Sequence, residues 1–202
     1  MDNSIAGAWM GRGKSLTNLG QYKKAADSYG KTIELDAGNA TAWFGKADSL
    51  RHLGRFADAI SSFEETLKLE PKDGAAWFGK AESLRSLNSL GEAVAAFDKA
   101  LKLEPKNAAV WFGRADCLRS LARDDQAIAA YDKSIKLDPS DPLAWFGKAE
   151  CQRSLGNHKK AIGLYEEALE IDPGNVHAWY GKGDSLRHLG SYQKAINCLE
   201  KT

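Results

Sequence analysis

Every tryptophan in this 202-residue chain stands 34 residues from the next: Trp9, Trp43, Trp77, Trp111, Trp145 and Trp179. Self-similarity at a fixed period marks a stacked repeat, in which no single unit can bury its own apolar face. Placing tryptophan at position 4 starts the units at Ala6, Ala40, Gly74, Ala108, Pro142 and Val176, and the chain stays in register without insertion. It therefore divides into a short extension, residues 1–5, and one array with repeats at 6–39, 40–73, 74–107, 108–141, 142–175 and 176–202.

Both halves of a unit carry helical periodicity. In the second unit Trp43, Ala47, Leu50 and Leu53 recur at helical spacing, and Gly54 suits a left-handed C-terminal cap, which defines a helix A. Ala59, Ile60, Phe63, Leu67 and Leu69 mark an amphipathic helix B, which Pro71 stops because it has no N–H to donate. Position 34, just before each next helix A, is Asn39, Asp73, Asn107, Asp141 and Asn175, side chains that accept from the free N–H groups of a helix start. Two turns depart from this pattern. Asn88 and Ala122 replace the turn glycine in the third and fourth units, so those turns are expected to be looser.

Charge narrows the function. Lys+Arg 28 against Asp+Glu 27 leaves a net charge of +1, without the bulk positive field on which most nucleic-acid binders depend. No apolar run reaches about 18 residues, so no transmembrane helix is expected, and the N-terminus does not read as a secretory signal. Cys117, Cys151 and Cys198 form no CxxC pair, which suits a reducing compartment. The expectation is a cytoplasmic protein without metal or cofactor.

The shared pattern has Trp at position 4, Gly or Ala at 8, Leu at 11, Gly at 15, Tyr or Phe at 17, Ala at 20, Phe or Tyr at 24 and Pro at 32. Through these residues the sequence from 6 to 202 resembles the tetratricopeptide repeat family. The resemblance implies an all-α fold of antiparallel helix pairs stacked into a right-handed superhelical solenoid, whose concave face is lined by the A helices and binds peptide segments of other proteins. One departure is position 7, typically Leu in the family but Arg12, Lys46, Lys80, Arg114, Lys148 and Lys182 here. Their aliphatic stems are expected to cover the seam between helices while the charges reach water.

Projecting helix A at 100 degrees per residue separates three stripes. Positions 4, 7, 8 and 11 face helix B, and positions 3, 6 and 10 are small, which lets a neighbouring helix approach closely. Positions 2, 5, 9, 12 and 13 are left to face the concavity. Position 5 is Phe44, Phe78, Phe112, Phe146 and Tyr180 after Met10; position 9 is Asp48, Glu82, Asp116, Glu150 and Asp184; position 12 is Arg51, Arg85, Arg119, Arg153 and Arg187. One reading is a peptide-binding groove in which aromatics supply apolar contact and arginine forks hold carboxylates or backbone carbonyls. The other is that each ring packs on the next helix A while acid and arginine neutralise one another at i and i+3. Under either, the groove is charge-balanced and favours partners of mixed charge.

The carboxylate clamp of chaperone-binding family members needs Lys or Asn where this chain has aromatics at position 5 and glycine at position 6, so it is absent, as is an asparagine ladder at position 6. Gly11-Arg12-Gly13-Lys14-Ser15 lacks the first glycine and the preceding strand of a phosphate loop. The four histidines show no acid–base partner pattern, so no catalytic residue is expected. The last unit reaches position 27 at Thr202 with no polar helix over Ile196 and Leu199. A piece of a longer protein is the favoured expectation, with self-association through that C-terminal end as the alternative. The functional expectation is a noncatalytic scaffold for protein or peptide partners; a self-associating assembly module and a recruitment arm of a larger protein are the alternatives.

Overall fold

The computed structural model describes residues 3–202, and among the described residues all regular structure is helical. Helices A and B alternate through six pairs: α1 (Asn3–Asn18) with α2 (Tyr22–Leu35), α3 (Ala40–His52) with α4 (Phe56–Leu69), α5 (Gly74–Ser86) with α6 (Leu90–Leu103), α7 (Ala108–Ser120) with α8 (Asp124–Leu137), α9 (Pro142–Ser154) with α10 (His158–Ile171), and α11 (Val176–His188) with α12 (Tyr192–Leu199). They group into two compact units of three pairs each, one ending at Pro105 and the other spanning Lys106–Thr202. Of the expected extension 1–5, Met1 and Asp2 lie outside the described residues, and α1 takes in the other three.

Local chemistry sets the helix boundaries. From α3 onward each A helix starts at position 1, capped by the side chain at position 34 before it. Asn39 accepts from the Ala42 N–H at 3.0 Å, Asp73 from Ala76 at 2.9 Å, Asn107 from Val110 at 3.4 Å, Asp141 from Leu143 at 2.9 Å and Asn175 from Ala178 at 3.0 Å. Each such cap is worth about 1 kcal/mol against alanine. Helices α2, α4, α6, α8 and α10 all stop at position 30, two residues before Pro71, Pro105, Pro139 and Pro173 in the last four cases.

The turn from A to B depends on a left-handed residue at position 15. Gly20, Gly54, Gly156 and Gly190 hold φ between 68° and 75°. Asn88 and Ala122 hold the same conformation at φ 59° and 55°. Closure is also the same: the N–H groups of Arg55, Ser89 and Arg123 reach the carbonyls of Leu50, Leu84 and Leu118 at 2.9 Å in each turn. The third and fourth turns are therefore not looser, contrary to the sequence expectation. The paired carbonyl bonds impose the geometry, and the wrong residue pays in backbone strain rather than in slack.

The core is built from small residues around one buried aromatic at position 24 of each helix B from α2 to α10. In the first unit Ala47, Leu50, Ala59, Phe63 and Leu67 form one cluster that extends to Ala76 of the following repeat. In the second, Ala149, Ala161, Tyr165 and Leu169 do the same with Ala178. Position 24 drives each junction. A Cβ added at Gly45 would stand 2.5 Å from the Tyr29 ring, and one at Gly79, Gly147 or Gly181 would stand closer still to Phe63, Tyr131 or Tyr165. The position-6 glycine is thus a socket for the ring of the preceding helix B.

Tryptophan at position 4 has a polar reason as well as an apolar one. The indole Nε1 groups of Trp43, Trp77, Trp145 and Trp179 donate to the carbonyls of Ala37, Pro71, Pro139 and Pro173 at 3.0, 3.1, 3.0 and 2.9 Å. Only this side chain combines a large apolar plate with a donor at its far edge, and so pins the turn that precedes its helix. Position-7 lysines lie over three of these plates, with the ammonium groups of Lys46, Lys80 and Lys182 at 5.3, 5.7 and 5.4 Å from the ring centroids. Their charges do not simply reach water. Lys80, Lys148 and Lys182 pair with Glu64, Asp132 and Glu166 at position 25 of the preceding repeat, at 2.7, 2.6 and 2.9 Å. The acid lies 16 residues upstream of each lysine, a signal present in the sequence but not read from it.

Candidate functional site

The ladder residues at positions 5, 9 and 12 share one face of each A helix, and acid and arginine are one helical turn apart. Arg51–Asp48, Arg85–Glu82, Arg119–Asp116, Arg153–Glu150 and Arg187–Asp184 all pair at 2.7 Å. This neutralisation is the one expected from spacing alone. The arginine forks are nevertheless not closed off. Arg187 keeps 58% of its side chain in solvent, while its partner Asp184 keeps 15%.

In the second unit the ladder links repeats. Arg153 donates to Glu150 at 2.7 Å through Nη2, to the Tyr165 hydroxyl at 3.2 Å through Nε, and to Asp184 of the next repeat at 3.5 Å through Nη1. The Tyr165 hydroxyl donates in turn to Glu150. Burial pushes the Glu150 carboxyl up, but the bonds from Arg153 and Tyr165 outweigh it and hold the group below its ordinary range. Asp184 behaves alike: burial acts against its charge, and Arg187 more than restores it. Burial and the Glu150 charge together raise the Tyr165 phenol. Glu150 and Asp184 are thereby each tied into an ion pair, with the neutral Tyr165 phenol bonded to the first.

The position-5 rings fall between the two readings. Phe44 meets Phe63 edge-on at 5.7 Å between centroids, and Phe78, Phe112 and Phe146 meet Phe97, Tyr131 and Tyr165 at 6.1 Å. These contacts run to helix B of the same repeat rather than to the next helix A, and the four rings remain half-buried. Tyr180 is different: 58% of its surface is exposed.

Two features escaped the sequence reading. His52 stacks on Tyr22 at 4.3 Å and His188 on His158 at 4.5 Å, so position 13 of one repeat meets position 17 of the repeat before. An aromatic or imidazole at both positions, 30 residues apart, was the available signal. On the side of the B helices, a cleft of about 520 Å³ opens beside Trp43 and Lys46, walled by Asp58, Ser62 and Glu65. Smaller equivalents lie beside Trp77 and Trp145. The cysteines are all buried; burial and the neighbouring Asp124 push the Cys151 thiol up to about 12.

Repeated antiparallel helix pairs, locked ring-to-glycine and presenting one recurrent chemical face, define an all-helical tandem-repeat protein of the interaction type. Sequence models of the tetratricopeptide repeat match residues 10–63, 53–103, 83–142, 125–176 and 152–202, and the chain belongs to that family. Comparison with curated protein sequences found no match. Among solved structures, the chain is similar to YrrB, described as a TPR protein with an unusual peptide-binding site: 23% identity over 87% of this chain and 91% of that one, with a TM-score of 0.77. It is likewise similar to MamA from Desulfovibrio magneticus RS-1, at 18% identity over 80% and 92% with a TM-score of 0.77. A third likeness is to pilF of Pseudomonas aeruginosa, at 15% identity over 97% and 89% with a TM-score of 0.79. At these identities the shared property is the fold. No helix among the described residues is long and apolar enough to cross a membrane.

Proposed function

We propose that the chain is a noncatalytic scaffold that holds peptide or helical segments of partner proteins against the ladder face of its A helices. The observation that carries this reading is the recurrence of aromatic, carboxylate and guanidinium on one face with solvent still reaching them. Tyr180 and Arg187 are the strongest anchors, because each leaves 58% of its surface or side chain uncommitted. The interior phenylalanines contribute through their open edges, at a fraction of the roughly 1.5–3 kcal/mol of a fully buried ring. A mixed-charge segment suits this face, since every arginine already has an acid beside it. The peptide-binding site named for YrrB supports the reading by likeness of fold. Three buried cysteines outside any disulfide suit the cytoplasmic setting that belongs to the proposal.

The test is selection from a random-peptide display library on the intact chain, followed by binding to Tyr180→Ala and Arg187→Ala. Peptides that bind the parent and lose affinity at least tenfold for both variants, with helicity unchanged by circular dichroism, support the groove. Recovered peptides that bind all three chains equally refute it.

A further inference from the structure

Three junctions in this chain use the same pair of contacts. A ring at position 24 of one helix B enters the glycine socket at position 6 of the next helix A, as Phe63 does at Gly79 and Tyr165 at Gly181. One residue further on, an acid at position 25 bridges to the cation at position 7, as in Glu64–Lys80 and Glu166–Lys182. The two contacts share an offset of 16 residues and form one joint with an apolar and an ionic half.

Both halves of this joint exist once more, unmated. On α1 the socket is Gly11, whose added Cβ would meet nothing within 4 Å, and its cation is Arg12. The flanking Ala8 and Ser15 are exposed, whereas their equivalents Ala42 and Ser49 are fully buried. Arg12 has Trp9 beneath it and Ser28 as a hydrogen-bond partner, but no carboxylate among the described residues. At the other extreme, positions 24 and 25 are Leu199, 37% exposed, and Glu200, also exposed. Ile196, 49% exposed, stands at position 21, where Ile162 of the preceding repeat packs on the cluster of Leu186 and Trp179.

The geometry points to head-to-tail association of this chain with a second copy of itself, Leu199 of one entering the Gly11 socket of the next while Glu200 pairs with Arg12. The occupant is specified by complementarity on two counts: shape, since a position-24 side chain meets a position-6 glycine four times within the chain, there as a ring where Leu199 offers a smaller apolar knob, and charge, since acid and cation fall at the positions that pair at three junctions. The contact joins two different faces, so it is heterologous and propagates beyond two copies unless its rotation closes a ring. It uses neither Tyr180 nor Arg187 and stands independently of the groove.

Sedimentation equilibrium of the full chain over a wide concentration range tests it. The parent is expected to show mass rising past that of a dimer. Gly11→Arg fills the socket without touching the chain's own fold, and Glu200→Arg sets like charge against Arg12; each alone is expected to remain monomeric. Mixed in equal amounts, the two variants retain one working face each and are expected to form dimers and nothing larger. A parent that stays monomeric into the millimolar range, association that stops at a symmetric dimer, or association that survives Gly11→Arg would each overturn the inference.

Discussion

Replacing Ala122 by glycine should stabilise this protein, although the change removes a methyl group and touches no partner. Ala122 sits at φ 55°, held there by its N–H bond to Arg119 at 2.9 Å and by the bond from Arg123 to Leu118. The left-handed conformation costs a residue with a Cβ about 1–2 kcal/mol, and glycine escapes that cost. Glycine gives back part of the gain, about 0.5–1 kcal/mol, through the greater freedom of its unfolded chain. The net expectation is a gain of about 0.5–1 kcal/mol. Near 200 residues, a gain of 1 kcal/mol raises the midpoint of thermal unfolding by about 2–4 °C. Asn88→Gly provides an internal scale: asparagine tolerates this region, so its gain should be smaller than that of Ala122→Gly. Gly54→Ala is the reverse experiment and should lose about 1 kcal/mol. Urea unfolding followed by circular dichroism measures all three in parallel. A neutral or destabilising Ala122→Gly would refute the view that the fourth turn is closed under strain.

Two further outcomes are expected. Gly79→Ala drives a methyl group into the Phe63 ring and should cost about 1–3 kcal/mol, whereas Gly11→Ala meets open space and should be neutral or mildly stabilising; denaturant midpoints separate them. Glu150 has its folded pKa below the unfolded value, so its contribution is complete above the ordinary carboxylate range and disappears as pH falls through the depressed folded value. Glu150→Gln should therefore lower stability at neutral pH and flatten the acid limb of the stability–pH curve; an unchanged acid limb would count against the Arg153–Tyr165 network as its source.

What could be read from the sequence was what is local along the chain. Trp43, Asn39 and Pro71 announce a helix start or stop within a few residues of themselves, and their structural partners lie equally near. The acid and arginine at positions 9 and 12 are one turn apart, so their pairing followed from helical spacing. The socket at Gly79 and the bridge from Lys80 to Glu64 depend instead on how two helices from different repeats meet. Periodicity identified the small stripe but not the ring that fills it. The position-5 phenylalanines show a further limit: helical projection places Phe78 on the open face, yet the breadth of Phe97 on the partner helix decides how much of the ring stays there. The strain at Ala122 was invisible for a related reason, because a missing glycine signals a departure without saying whether geometry or residue gives way.

The bond from the indoles of Trp43, Trp77, Trp145 and Trp179 to the turn before each makes light emission a gauge of individual joints. Trp77 loses its carbonyl acceptor only when the Pro71 turn opens, and Trp179 only when the Pro173 turn does. Four chains, each retaining one of these tryptophans with phenylalanine at the other five sites, would therefore report fraying one joint at a time, with no label added.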